Sequence, residues 1–179
     1  SFHTTLYRLR RALGPDVVTV DDGRYRIGNV DYWLDTREFE ETIERARLLP
    51  SQDWQAQELW QRAVDLYQGD FLTGVDRLWA LPLRERYMDM RMEALLNVAR
   101  CHEVRGELDE AIEWHRRVLA VDELREDIHR QIMQLYVRAG RRSDAITHYH
   151  RVCEILDQEL GIEPEEETIQ LYTQIAGKR

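Results

Sequence analysis

The first residues with recognisable chemistry are cations on one face of a helix. In SFHTTLYRLRRAL, Phe2, Leu6, Leu9 and Leu13 recur at helical spacing and form one apolar stripe, and Thr4, Arg8 and Arg11 fall opposite it. A hydroxyl and two guanidinium groups make this a polar, basic outer face, which reads either as an ordinary solvated helix face or as a binding surface, not a catalytic one. The charge distribution agrees. Residues 1–30 carry five Arg against three Asp, a balance of +2, although the chain as a whole has a formal net charge of −9. A net charge of that sign disfavours a nucleic-acid interface spread over the whole chain, but not one confined to the N-terminal residues.

Other reactive side chains form no recognisable constellation. His148 and His150 flank Tyr149, and x-H-x-H on a helix points its two rings to different faces, a poor arrangement for a metal. There is no HExxH, and Gly69-Asp70-Phe71-Leu72-Thr73-Gly74 lacks the lysine and helix-opening pattern of a phosphate-cradling loop. That segment reads as a loop anchored by Phe71 and Leu72. Cys101 and Cys153 have no second Cys near either and read as reduced, buried, small apolar residues. His102 and His115 fit core or groove-lining roles. No catalytic residue, metal ligand or cofactor is expected, and no stretch is apolar enough to cross a membrane or to act as a signal peptide.

The elements that position these residues follow from a repeat. Gly106, Ala111, Ile112, Arg117 and Val118 return 34 residues later as Gly140, Ala145, Ile146, Arg151 and Val152. A period of that length, with Gly between two helical patterns, is that of the tetratricopeptide repeat (TPR), in which helix pairs stack because one pair cannot bury its own apolar face. The Gly turns the chain and the Ala lets the second helix approach closely. The register places Ala99, Ala111, Val118, Met133, Tyr136, Ala145, Tyr149 and Val152 in the core. It turns Asn97, Arg100, Arg130, Gln134 and Arg138 toward the concave face, where they form a candidate protein-binding groove. Helices are expected over about 35–49, 53–67, 82–105, 107–120, 125–139 and 141–159, with Pro164 in the first turn of a last one. The fold class is therefore mainly α, a TPR-like α-solenoid of antiparallel helix pairs.

Behind the first helix, VVTV and RYRI around Asp21-Asp22-Gly23 read as a β-hairpin. A basic helix followed by a short hairpin is the end of a winged helix. YRLRRALG with VVTVDDGRYRI resembles the recognition helix and wing of OmpR/PhoB-type DNA-binding domains. That resemblance implies that Arg8 reaches bases, that Arg10 and Arg11 lie near phosphates, and that Thr19 is a phosphate-contacting wing position. Thr4 lies on the same outer face as Arg8. Where the family often has Arg after the Thr-Val of the wing this chain has Asp21, for which Arg24 across the turn could substitute. LYQGDFLTG, the following Trp and long helix, the repeats and LGIEPEEETIQLY together resemble the bacterial transcriptional activator domain of SARP/AfsR-type regulators. Residues 1–30 are then the C-terminal part of the winged helix and residues 31–179 the TPR-like activator domain. Because the chain opens with Ser inside a helical pattern, it reads as a fragment of a larger protein. The resemblance implies a cytoplasmic transcriptional activator whose partners are promoter DNA and RNA polymerase or other proteins, with a homodimer possible. The competing reading is a TPR-type interaction scaffold without DNA binding.

Overall fold

The computed structural model describes residues 1–177, which leaves the last two residues of the expected activator domain, Lys178 and Arg179, outside the described residues. The chain divides into two compact units, Ser1–Asp35 and Thr36–Arg179.

In the first unit α1 spans Phe2–Leu13 and stops at Gly14, whose φ of 102° suits a residue without a Cβ. A 3-10 turn at Pro15–Val17 leads into β1, Val18–Asp21, which pairs antiparallel with β2, Arg24–Ile27. Asp22 and Gly23 both take positive φ, 51° and 74°, as a two-residue hairpin turn matching the twist of its strands requires. The register pairs Thr19 with Arg26 and Asp21 with Arg24. One hairpin face therefore carries Thr19, Asp21, Arg24 and Arg26, and the other Val18, Val20, Tyr25 and Ile27. The apolar face meets α1, where the Phe2 ring stands edge-on to Tyr25 at 4.7 Å. Gly28 closes the unit. A Cβ there would lie 1.7 Å from the Asp16 carbonyl oxygen, so only Gly permits this approach. Of the α1 stripe only Leu6 is buried; Phe2, Leu9 and Leu13 are exposed.

The second unit is all helical: α2 Asp35–Arg47, α3 Trp54–Leu66, a 3-10 turn Leu78–Ala80, α4 Leu81–Arg105, α5 Leu108–Leu119, α6 Glu126–Arg138, α7 Arg142–Leu160 and α8 Glu166–Gly177. The repeat appears in the backbone. At the end of α4 Glu107 N–H donates to the His102 carbonyl and Gly106 N–H to that of Glu103; at the end of α6 Arg141 and Gly140 donate to Tyr136 and Val137. Both turns are the same αL cap, shifted by one repeat, with Gly106 and Gly140 at φ 77° and 73°. Ala99, Ala111, Val118, Met133, Ala145 and Val152 are fully enclosed and Tyr136 nearly so, as the register demands. Tyr149 is half-buried and stacks on Tyr172 at 4.0 Å.

Two details differ from expectation. Leu72 does not anchor the 69–74 loop by its side chain. Its φ is 51°, its side chain is exposed, and its carbonyl accepts from Arg84 Nη2. Phe71 does pack, on Tyr87 at 4.9 Å. Pro164 lies outside α8, because the first helical amides, Thr168 and Ile169, donate to the Glu165 carbonyl, which makes Glu165 the cap.

Candidate nucleic-acid interface and protein-binding clefts

The cations of the first unit separate into two kinds. Arg8 and Arg11 are exposed and make no hydrogen bond or ion pair among the described residues, and Thr4 lies 3.2 Å from the Ser1 hydroxyl on the same exposed helix. Arg10 is used differently. Its Nε and Nη2 donate to the Val18 carbonyl at 3.2 and 2.6 Å and tie the hairpin to α1. Nε and one N–H of Nη2 are thus used inside the unit, and Nη1 is left for the phosphate contact expected of Arg10. On the hairpin Thr19 and Arg24 are exposed on the polar face. Asp21 pairs at 3.3 Å with Arg26, a residue the sequence reading passed over, and not with Arg24 opposite it. This leaves Arg24 unpaired among the described residues and offsets part of the Asp21 charge beside it. Alternation along the hairpin was the signal for Arg26, since it shares a face with Asp21.

The five expected groove residues do not form one groove. Asn97 and Arg100 line a cavity of about 390 Å³ with Arg47, Glu93, Ser51, Gln52 and the edge of Trp60. Arg47 and Glu93 close a two-bond ion pair there, at 2.8 and 2.6 Å, which leaves Arg100 as the cation of that cavity unpaired among the described residues. Gln134 and Arg138 line a different cavity, between α6 and α8. Arg130 lines neither. Its Nη1 donates to Glu165 at 2.7 Å and to the Thr168 hydroxyl at 2.8 Å, so it fastens α8 to α6, and its assignment to the groove is corrected. Glu126, almost fully buried on α6, works beside it. Its carboxylate accepts from Glu165 N–H and from the Thr168 hydroxyl and thereby caps α8 from another helix.

Four of the six histidines pack with fixed bonds. His102 contacts Gln57 and Glu107, and His115 contacts Glu103. His148 turns inward and shares a hydrogen bond with buried His129, Nε2 to Nδ1 at 2.9 Å; the other nitrogen of His129 donates to the Glu123 carbonyl. The repeat points to the inward place of His148, though not to His129. His148 is Trp114 shifted by one period, and the ring pair His102–Trp114 recurs as Tyr136–His148. Burial lowers both His129 and His148 from their ordinary 6.5; His148, which also faces His129, Arg151 and Arg116, falls to about 4. Cys101 and Cys153 are free thiols, the first buried and the second half-buried. Among the described residues no three His, Cys, Asp or Glu side chains gather as a metal site would need, and no helix is long and apolar enough to cross a membrane.

Residues 34–176 match the bacterial transcriptional activator domain. The chain belongs to this family. The regulatory protein AfsR of Streptomyces coelicolor is 29% identical over 167 residues, covering 88% of this chain and 16% of AfsR. AfsR of Streptomyces griseus is 28% identical over 189 residues, covering 98% of this chain and 18% of that protein. The chain thus spans less than a fifth of these curated relatives. Among solved structures, Mycobacterium tuberculosis EmbR in complex with a low affinity phosphopeptide superposes with a TM-score of 0.71 at 22% identity, over 98% of this chain and 49% of that one. This likeness supports the helical fold. The resemblance to SARP/AfsR-type regulators carried by residues 66–79 and 160–172 is borne out by these matches. The activator-domain match begins at residue 34, so it does not reach the helix and hairpin.

Proposed function

We propose that this chain is the portion of a DNA-binding transcriptional activator in which residues 1–30 present a recognition helix and wing to promoter DNA and residues 31–179 receive protein partners. The observation that carries the reading is the local build of the first unit. Arg10 clamps the hairpin beside α1, while Arg8, Arg11 and Arg24 stay unpaired and exposed. Thr4 and Arg8 belong to the base-facing side of α1, Arg11 and Thr19 to phosphate contact, and Arg24 to the wing. In the helical unit Asn97, Arg100, Gln134 and Arg138 are the side chains offered to RNA polymerase, to another protein or to a second copy. The protein acts in the cytoplasm and performs no catalytic step.

Fluorescence anisotropy with a labelled promoter repeat tests this. Residues 1–179 alone should bind weakly, without sequence preference and with strong salt dependence, because few phosphates are contacted by an acidic chain. The full-length protein should bind specifically, and Arg8→Ala in it should cost about 1–3 kcal/mol at one base position. Tight specific binding by residues 1–179 would contradict the account. No DNA binding by the full-length protein would leave the interaction scaffold in its place.

A further inference from the structure

We propose that the cleft between α6 and α8 is a docking site for an acidic amphipathic segment of a protein partner, one that inserts an apolar side chain and flanks it with carboxylates. This deepens the reading of the helical unit as the partner-contacting part and rests on it. The cleft has a volume of about 370 Å³ and is lined by Gln134, Val137 and Arg138 from α6, Arg142 from α7, and Leu171, Gln174 and Ile175 from α8. Its floor is apolar. Val137 is 41% exposed, and the half-buried Leu171 of α8 lines the same cleft. A floor of that kind gains from contact with an apolar side chain.

The rim decides the charge of the occupant. Among the described residues, both ionisable side chains lining the cleft are arginines, and the remaining polar ones are glutamines. Three other cavities of this unit each include carboxylates: Glu58 and Asp65 in one, Glu93 in another, and Glu44, Glu85 and Asp89 in the third. A cation-only cleft on a chain of net charge −9 is a local reversal of sign, and such a reversal steers acidic segments toward it. The two arginines are also prepared for different work. Arg142 donates from Nε to the Ile175 carbonyl at 2.8 Å and from Nη2 to the Ala176 carbonyl at 2.7 Å, so its guanidinium is already held at the end of α8 with Nη1 unspent. Arg138 is half-exposed, and its one ion pair, to Glu103, is long at 3.9 Å. It can therefore turn to a partner carboxylate with little loss. Phosphates would satisfy the same cations, but the apolar floor has nothing to offer a nucleic-acid backbone, whereas a leucine-bearing acidic helix fits both halves.

The test uses the full chain and a short fluorescein-labelled peptide with leucines at helical spacing (i, i+3, i+4, i+7) and glutamates between them. Controls are the same peptide with Gln for Glu, and with Ala for Leu. The two cleft variants are Arg138→Glu and Gln174→Glu, both at exposed positions, with thermal melts to show that they fold. The acidic peptide should bind with affinity that falls as salt rises, and each variant should weaken it about tenfold or more at an unchanged melting temperature. Equal binding of the Gln peptide, equal binding by the variants, or a DNA duplex that binds the parent but not Arg138→Glu would overturn the proposal. So would sedimentation showing a dimer that these variants dissolve, since a second copy would then fill the cleft. Arg8→Ala should leave peptide binding untouched, so failure of the DNA reading and failure of this one give different results.

Discussion

Arg8, Arg10 and Arg11 look alike in the sequence, and what separates them is a tertiary contact. Helical spacing shows which way each points from α1, but not that the Val18 carbonyl arrives beside Arg10, because that depends on how the hairpin folds back. Arg10→Ala leaves that half-buried carbonyl without its charged donor and should loosen the hairpin by about 1.5–3 kcal/mol. Arg8→Ala, at an exposed and unpaired side chain, should change local stability by less than about 0.5 kcal/mol. Amide hydrogen exchange in β1 and β2 distinguishes them: faster exchange in the Arg10 variant only is the expected result, and equal protection in both would show that the clamp carries no weight. Glu126 teaches the same lesson. In sequence it is an acid in a helix's first turn, an ordinary place for one; in the fold it is buried and caps a helix that begins forty residues later.

At the scale of elements, the parts that repeat were legible and the parts that dock were not. The 34-residue register gave helix pairs, their Gly turns and the enclosed alanines, since all of these follow from local spacing. Ala111→Trp or Ala145→Trp should accordingly overpack a helix crossing and cost about 1–3 kcal/mol or more in thermal melts; melts matching the parent would mean that the register is misplaced. The attachment of α8 was not legible. It depends on Glu126 and Arg130 reaching Glu165 and Thr168, contacts between helices that the repeat does not relate. That attachment also explains why Arg130 left the groove and why Gln134 and Arg138 found a cleft of their own. Glu126→Ala leaves the Glu165 amide and the O–H of fully buried Thr168 without their acceptor, with Arg130 still donating to the Thr168 oxygen, and should weaken α8 docking by about 1–3 kcal/mol. Limited proteolysis should then cut near residues 161–165 first. A digestion pattern like that of the parent would place the strength of the α8 contact in the Tyr149–Tyr172 stack instead.

For the whole molecule, the stack of pairs makes stability a sum of each pair and its contacts with neighbours, so one weak pair loosens the units on both sides. The α6–α7 pair holds a pH-sensitive contact. His129 donates one nitrogen to the Glu123 carbonyl, so its other nitrogen must accept from His148, and the bond between the rings requires a neutral His129. A proton on His129 would put two donors face to face, and one on His148 would place a charge in the same buried site; Arg151 opposes either charge and Arg116 that of His148, while the Glu123 carbonyl, Glu126 and Asp127 favour a charge at His129. His148 titrates near 4 in the fold against 6.5 when exposed, so between these values the unfolded chain binds more protons than the folded one. Stability therefore rises with pH across that window. It is complete above about 6.5 and declines toward 4, by as much as a few kcal/mol for a shift of this size. Carboxylates of the ion pairs begin to protonate only at the lower end, so the interval from about pH 6.5 to 5 isolates the histidines. Urea denaturation across that interval should show stability falling in the parent. The double replacement His129→Leu/His148→Leu, which removes both rings together and strands neither, should flatten the dependence. A parent whose urea midpoint is unchanged from pH 7 to 5 would show that one of the rings finds water or an acid partner on protonation, and that the α6–α7 contact is not held shut by their neutrality.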